Sequence, residues 1–163
     1  MAFLTKEMRQ IVREQRLGSI ATVTPQGLPS IAPNGSLALL EDETVVLADV
    51  SSPRTVANIA SNPCVEVLVV DPFKRKGVRM AGTATVVPKN ANYWKMLEMY
   101  RAEGSDISRI KTVVAIVIHR AEIIKSPVYS TGITEEELTR LWQEYFTKAK
   151  LRTVHDLIPP RNF

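Results

Sequence analysis

Leu4, Met8, Ile11 and Val12 recur at intervals of three and four with charged residues between them. Residues 4–16 are therefore expected to form an amphipathic helix, with Thr5 as its N-cap and Gly18 ending it. The rhythm then shortens. SIATVT (19–24) is rich in β-branched residues and closes on Pro25-Gln26-Gly27, the composition of a strand and a turn. LPSIAPNGSLALL (28–40) reads as one extended segment interrupted at Pro33-Asn34-Gly35. Proline cannot donate to a ladder and glycine weakens one, so this point is a bulge or a break. The acidic tip Glu41-Asp42-Glu43 turns the chain into TVVLADV (44–50), another strand.

From residue 51 the texture changes. Ser52 at the N-cap and Pro53 at the first helical position predict a helix through RTVANIASN, with Val56, Ile59 and Ala60 on one face and Asn62-Pro63 as its stop. CVEVLVVD (64–71) is a strand, 72–77 a basic connection, and VRMAGTATVV (78–87) a long strand that Gly82 is expected to bend. ANYWKMLEMYRAE (91–103) is a helix ending at Gly104, and TVVAIVIHRAEII (112–124) is the most apolar strand and hence central. TEEELTRLWQEYFTKAK (134–150) is a helix with a capping box from Thr134 to Glu137, followed by an irregular tail to Phe163. Strands arrive in neighbouring pairs rather than singly between helices. That pattern disfavours a parallel doubly wound sheet and favours an antiparallel barrel or sandwich, mainly β, with peripheral helices.

Composition narrows this little. At 163 residues the chain is expected to be a single domain, 1–163, whose last part (134–163) is a helix and tail. Cys64 is the only cysteine, which excludes an internal disulfide and a thiolate metal cluster; His119 and His155 are the only histidines, so no metal site is expected. Cys64 reads as a small buried residue, His119 as a structural histidine, and Trp94 and Trp142 as core or interface packing. The charged N-terminus lacks the apolar core of a signal peptide and no apolar run is long enough to span a bilayer, so a cytoplasmic protein without a membrane partner is expected. The net charge of +4 is carried by basic residues interspersed with acids. Without a basic face interleaved with aromatics, nucleic acid is not an expected partner.

No P-loop, GxGxxG or GxSxG motif is present. What remains is the helix start after the strand 44–50. Its first-turn amides are unpaired and its dipole favours an anion. Arg54, Thr55 and Asn58 add a guanidinium, a hydroxyl and a carboxamide on one flank, which together suit a phosphomonoester; the alternative is a helix start with a solvated arginine. Lys74, Arg75, Lys76 and Arg79 would converge on the same phosphate if their hairpin folds beside that helix, or would simply keep a hairpin tip soluble. The interruption at Pro33-Asn34-Gly35-Ser36 is the kind of irregular backbone that a flat ring can approach closely.

The stretch from Gly18 to Val87 resembles the pyridoxamine-phosphate oxidase-like, FMN-binding split-barrel family. The resemblance rests on Pro29-x-x-x-Pro33-Asn34-Gly35-Ser36, then DETVVLAD (42–49), then Arg54-Thr55-x-x-Asn58-x-x-x-Asn62-Pro63, then Val78-Arg79-x-x-Gly82-x-Ala84. It implies an antiparallel split β-barrel and FMN as cofactor. Arg54, Thr55 and Asn58 would hold the phosphate, with Lys74 or Lys76 contributing. Asn34, Gly35 and Ser36 would border the isoalloxazine, Asp49, Val50 and Ser51 would line the ribityl chain and ring, and Ser52 would be a further cofactor-binding residue. It also implies a homodimer with FMN at the interface, to which the strand 112–124 and Trp94 would contribute. Two departures set the chain apart from the true oxidases: Gly77 replaces a polar cofactor-binding side chain, and LRTVHDLIPPRNF (151–163) lacks their substrate motif despite Arg152 and His155. The expected function is thus a flavin oxidoreductase acting on a small substrate, with a nicotinamide partner. The alternatives are a non-enzymatic FMN electron carrier, or a module of the same fold that holds a deazaflavin or haem.

Overall fold

The computed structural model describes residues 4–41, 43–49 and 52–150. Asp42, Val50, Ser51, Arg152 and His155 therefore lie outside the described residues. Two compact units form, one of Met1–Val70 with Gly77–Ile124, the other of Asp71–Lys76 with Lys125–Phe163. Among the described residues, no helix is long and apolar enough to cross a membrane.

The first unit carries the sheet. Strands β1 (Gly18–Val23), β2 (Pro29–Asn34), β3 (Ala38–Glu41), β4 (Thr44–Asp49), β5 (Cys64–Asp71), β6 (Lys76–Val86) and β7 (Thr112–Lys125) run in the order β2-β1-β5-β6-β7-β4-β3. β1 pairs antiparallel with both β2 and β5, and β4 with both β3 and β7. This is the antiparallel, mainly β split barrel with peripheral helices that the family resemblance implies, one of the two architectures, barrel or sandwich, that the strand pattern favours. The segment 28–40 is not one interrupted strand but two. β2 keeps Pro33 and Asn34 because it lies at the edge of the sheet, where the missing proline N–H costs no ladder bond.

Three helices belong to this unit: α1 (Lys6–Glu14), α2 (Pro53–Ser61) and α3 (Ala91–Ala102). Helix α1 is shorter than its periodicity suggests. It ends at the C-cap Gln15, and Gly18, expected to stop it, instead opens β1. Two apolar clusters explain the patterning of β4. Val45 and Leu47 join Val67, Val69, Met80, Ile116 and Ile118 in the main core, with Met8, Ile11 and Val12 of α1 and Ile59 of α2. Val46 and Ala48 pack on the other side with Tyr93, Met96, Leu97 and Tyr100 of α3. A strand covered on both faces needs apolar residues at consecutive positions, hence TVVLA rather than an alternation.

Cys64 is exposed at the start of β5, not buried, and Trp94 is 57% exposed on α3, so it is not a core residue. Gly82 marks a close strand approach. A Cβ there would lie 2.4 Å from the Val117 carbonyl oxygen of β7. Gly82→Ala is expected to destabilise the protein by about 1–3 kcal/mol, the usual cost of overpacking. A lowered urea midpoint would show it, and an unchanged midpoint would mean that β6 and β7 separate freely.

In the second unit the hairpin tip 71–76 sits with the 3-10 turn Pro127–Thr131 and helix α4 (Glu135–Lys150). The expected capping box is formed: Thr134 Oγ1 accepts from Glu137 N–H, and Glu137 Oε2 accepts from Thr134 N–H. That carboxylate's pKa is lowered by the two hydrogen bonds it takes from Thr134. Phe73 meets Phe146 edge-on at 5.6 Å, and the Arg75 guanidinium lies 4.6 Å over the Trp142 ring.

Candidate functional site

The end of β4 organises the site. Asp49 Oδ1 accepts from Ser52 N–H at 2.6 Å, turning the strand into α2 within a few residues. Ser52 is the N-cap residue, but its hydroxyl makes no capping bond, because its backbone (φ −121, ψ 56) is not that of a capping serine. Pro53 has no N–H, and Val56 N–H donates to Ser52 O at 3.2 Å. The Arg54 and Thr55 amides are then left without an acceptor among the described residues, at the positive end of a helix whose first turn holds no acid.

The three side chains of the expected phosphate set do not share one orientation. Arg54 is exposed, and its guanidinium has no hydrogen-bond or ion-pair partner among the described residues. Thr55 and Asn58 lie on the buried side of α2. Asn58, 3% exposed, donates from Nδ2 to Thr22 Oγ1 at 2.9 Å and so anchors the helix to β1. Sequence spacing puts Asn58 near Arg54 on the helix; the docking of α2 on β1 decides which of them faces water.

The second wall is the turn between β2 and β3. Asn34 Oδ1 accepts from Ser36 N–H at 2.8 Å, an Asx turn. The Ser36 hydroxyl accepts from Ala48 N–H at 2.9 Å and lies 2.7 Å from Ala48 O and 2.8 Å from Asn34 Oδ1, of which its one proton serves one at a time. Ser36 thus continues the β3–β4 ladder with a side chain and fixes the turn beside the last residues of β4. Its carbonyl accepts from Tyr100 Oη of α3 at 2.7 Å, a contact the sequence does not signal. Burial pushes the Tyr100 phenol well above its ordinary range. Gly35 has no positive φ, and a Cβ there would meet nothing within 4 Å. Neither backbone conformation nor packing requires glycine at this point, and the turn lies open to an approaching group.

Val50 and Ser51 lie outside the described residues. Lys74 and Lys76 belong to the second unit, where both meet carboxylates. Lys76, buried, pairs through Nζ with Glu135 of α4, and Lys74 Nζ is 3.9 Å from both Asp71 Oδ2 and Glu135 Oε1. Arg79 is engaged in the first unit, 3.3 Å from Glu66 and 2.5 Å from Glu122. The basic group of the sequence is thus divided among separate partners. His119 is exposed on β7, with Nε2 2.8 Å from Thr83 Oγ1.

The open turn lies near a helix start that holds no acid in its first turn and an arginine without a partner among the described residues. Comparison with known proteins agrees in fold. HupZ of Group A Streptococcus is 28% identical, with 76% of this chain and 95% of that one covered and a TM-score of 0.67. An FMN-binding protein from Syntrophomonas wolfei is 15% identical, covering 74% of this chain and 86% of that one, with a TM-score of 0.63. A structure named F420 reductase is 19% identical, covering 76% and 100%, with a TM-score of 0.56. No curated protein matches the chain. Residues 4–125 match the sequence family described as pyridoxamine 5'-phosphate oxidase, and with most of its length so matched the chain belongs to that family.

Proposed function

We propose that this protein is an FMN-binding oxidoreductase that acts on a small organic substrate as a homodimer. One observation carries the reading: the α2 start, with two amides and an Arg54 guanidinium that have no partner among the described residues, stands beside the open Asn34-Gly35-Ser36 turn at the end of one strand. Arg54 and the Arg54 and Thr55 amides would hold the phosphate, and the backbone of Asn34, Gly35 and Ser36 would border the ring. Asn58 and Tyr100 would act from behind, by fixing the helix and the turn. FMN, when bound, supplies reversible acceptance of electrons at its ring; the protein's part is orientation and electrostatics. The FMN-binding neighbour of the same fold and the family membership support the cofactor.

The dimer rests on the sheet face turned away from the core. There Ile31 of β2 is 73% exposed, and Val70 and Val117 are exposed as well. An apolar face of this kind marks an interaction surface, and a second copy is the partner we assign to it. The single cysteine suits a reducing compartment, so the cytoplasm is the proposed location.

The test is the visible spectrum of the purified protein, with and without added FMN, together with its mass by light scattering. A flavin spectrum and twice the 18.2 kDa chain mass are expected. A colourless protein that leaves added FMN free would overturn the cofactor, and a monomer would overturn the dimer.

A further inference from the structure

A second concavity lies on the other side of the same helix. Pro53, Val56, Ala57 and Ala60, on the flank of α2 away from Asn58 and Ile59, line an open cavity of about 390 Å³ together with Asp49, Lys111 and Thr112. That volume is at the low end of the range of small-molecule pockets, about 300–1,000 Å³. Its polar end is rigid: Asp49 pairs with Thr112 across β4 and β7, and Lys111 N–H donates to Asp49 O at 2.9 Å.

Among the described residues, the two charges at that end have no ion-pair partner. Asp49 is 5% exposed, and its carboxylate makes one hydrogen bond, from Ser52 N–H to Oδ1. Oδ2 has no partner among the described residues, while no fully enclosed side-chain polar atom lacks one. Asp49 lines the cavity. The Lys111 ammonium is exposed and pairs neither with Asp49 nor with any other described carboxylate. A buried carboxylate oxygen is costly unless something donates to it, and among the described residues nothing donates to Asp49 Oδ2.

We infer that this cavity binds a small zwitterion with an apolar side chain, an amino acid of the leucine or phenylalanine kind. Its ammonium group meets Asp49 Oδ2, its carboxylate meets Lys111 and the Thr112 hydroxyl, and its side chain rests on Val56, Ala57 and Ala60. Its Lys111 and Thr112 end lies apart from the turn proposed to border the flavin ring. Asn34–Ser36 flanks β4 on the β3 edge, whereas Lys111 and Thr112 lie on the β7 edge. The inference thus stands whether or not FMN binds.

Calorimetric titration of the purified protein with L-leucine and L-phenylalanine tests it, with leucinamide and 4-methylpentanoate as analogues lacking one charge each. One of the amino acids is expected to bind with Kd below about 1 mM, and each analogue about tenfold more weakly or worse. Asp49→Asn, which keeps the acceptor for Ser52 N–H, and Lys111→Met should each weaken the amino acid by a similar factor. FMN binding by Lys111→Met should be unchanged. Failure of both amino acids to bind overturns the site, binding indifferent to both substitutions overturns its location, and analogues that bind as well as the amino acid overturn the zwitterion.

Discussion

Arg54→Ala is expected to weaken FMN binding about 10- to 150-fold without disturbing the fold. A hydrogen bond to a charged group contributes about 1.5–3 kcal/mol, and each 1.4 kcal/mol is about tenfold in affinity. The Arg54 side chain is exposed and unpaired among the described residues, so its removal leaves no buried group unsatisfied, and the thermal midpoint should move little. The loss should be confined to the phosphate end. Riboflavin, which has the same ring and no phosphate, should bind the variant and the parent alike. Arg54→Lys should fall between, because an ammonium keeps the charge but not the planar fork that grips two phosphate oxygens. Titration by quenching of flavin fluorescence measures all of these. If Arg54→Ala binds FMN and riboflavin in the parent's ratio, the phosphate is held elsewhere, and Lys74 and Lys76 become the residues to substitute next.

The parts of this site legible in the sequence are those set by local chemistry. Pro53 marks the first turn of α2 because its missing N–H costs nothing there, and Asn34-Gly35 marks an interruption because an Asx turn forms from neighbouring residues alone. The hairpins β1–β2 and β3–β4 are equally local, written in short turns between β-branched runs, whereas β1–β5 and β4–β7 join strands distant in the chain. What the sequence hides depends on docking. Asn58 shares a helix with Arg54, yet α2 lies on β1 through the Asn58–Thr22 bond, and nothing near residue 58 announces a partner 36 positions earlier. Glu135 meets Lys76 across 59 positions and Tyr100 meets Ser36 across 64, both after long excursions of the chain. Such pairs have no periodicity to betray them. Cys64 misleads for a related reason: the alternation of β5 assigns residues to two faces without saying which face is covered.

Tyr100 joins the stability of the first unit to the shape of the site, and its substitution should reveal both. Tyr100→Ala removes a buried aromatic from the cluster of α3 with Val46 and Ala48, and a loss of about 3–5 kcal/mol is expected. Tyr100→Phe keeps the ring but leaves the Ser36 carbonyl without its donor, for about 1–3 kcal/mol. The phenol also gives stability a particular dependence on pH. Burial, aided by the negative charge of Glu103, raises the phenol's pKa in the folded protein above the value of about 10 that it has in the unfolded chain. Below that value both states keep the proton and the full stability is present. Above it the unfolded chain releases its proton while the folded protein cannot, so stability falls by about 1.4 kcal/mol per pH unit from this group. Urea denaturation between pH 9 and pH 11 should therefore show a steeper loss for the parent than for Tyr100→Phe, whose other titrating groups are the same. Parallel slopes would mean that the phenol is free to ionise in the folded state. Ser36 would then not be held by a neutral donor, and the fixed turn proposed to border the flavin ring would lose the support that α3 gives it.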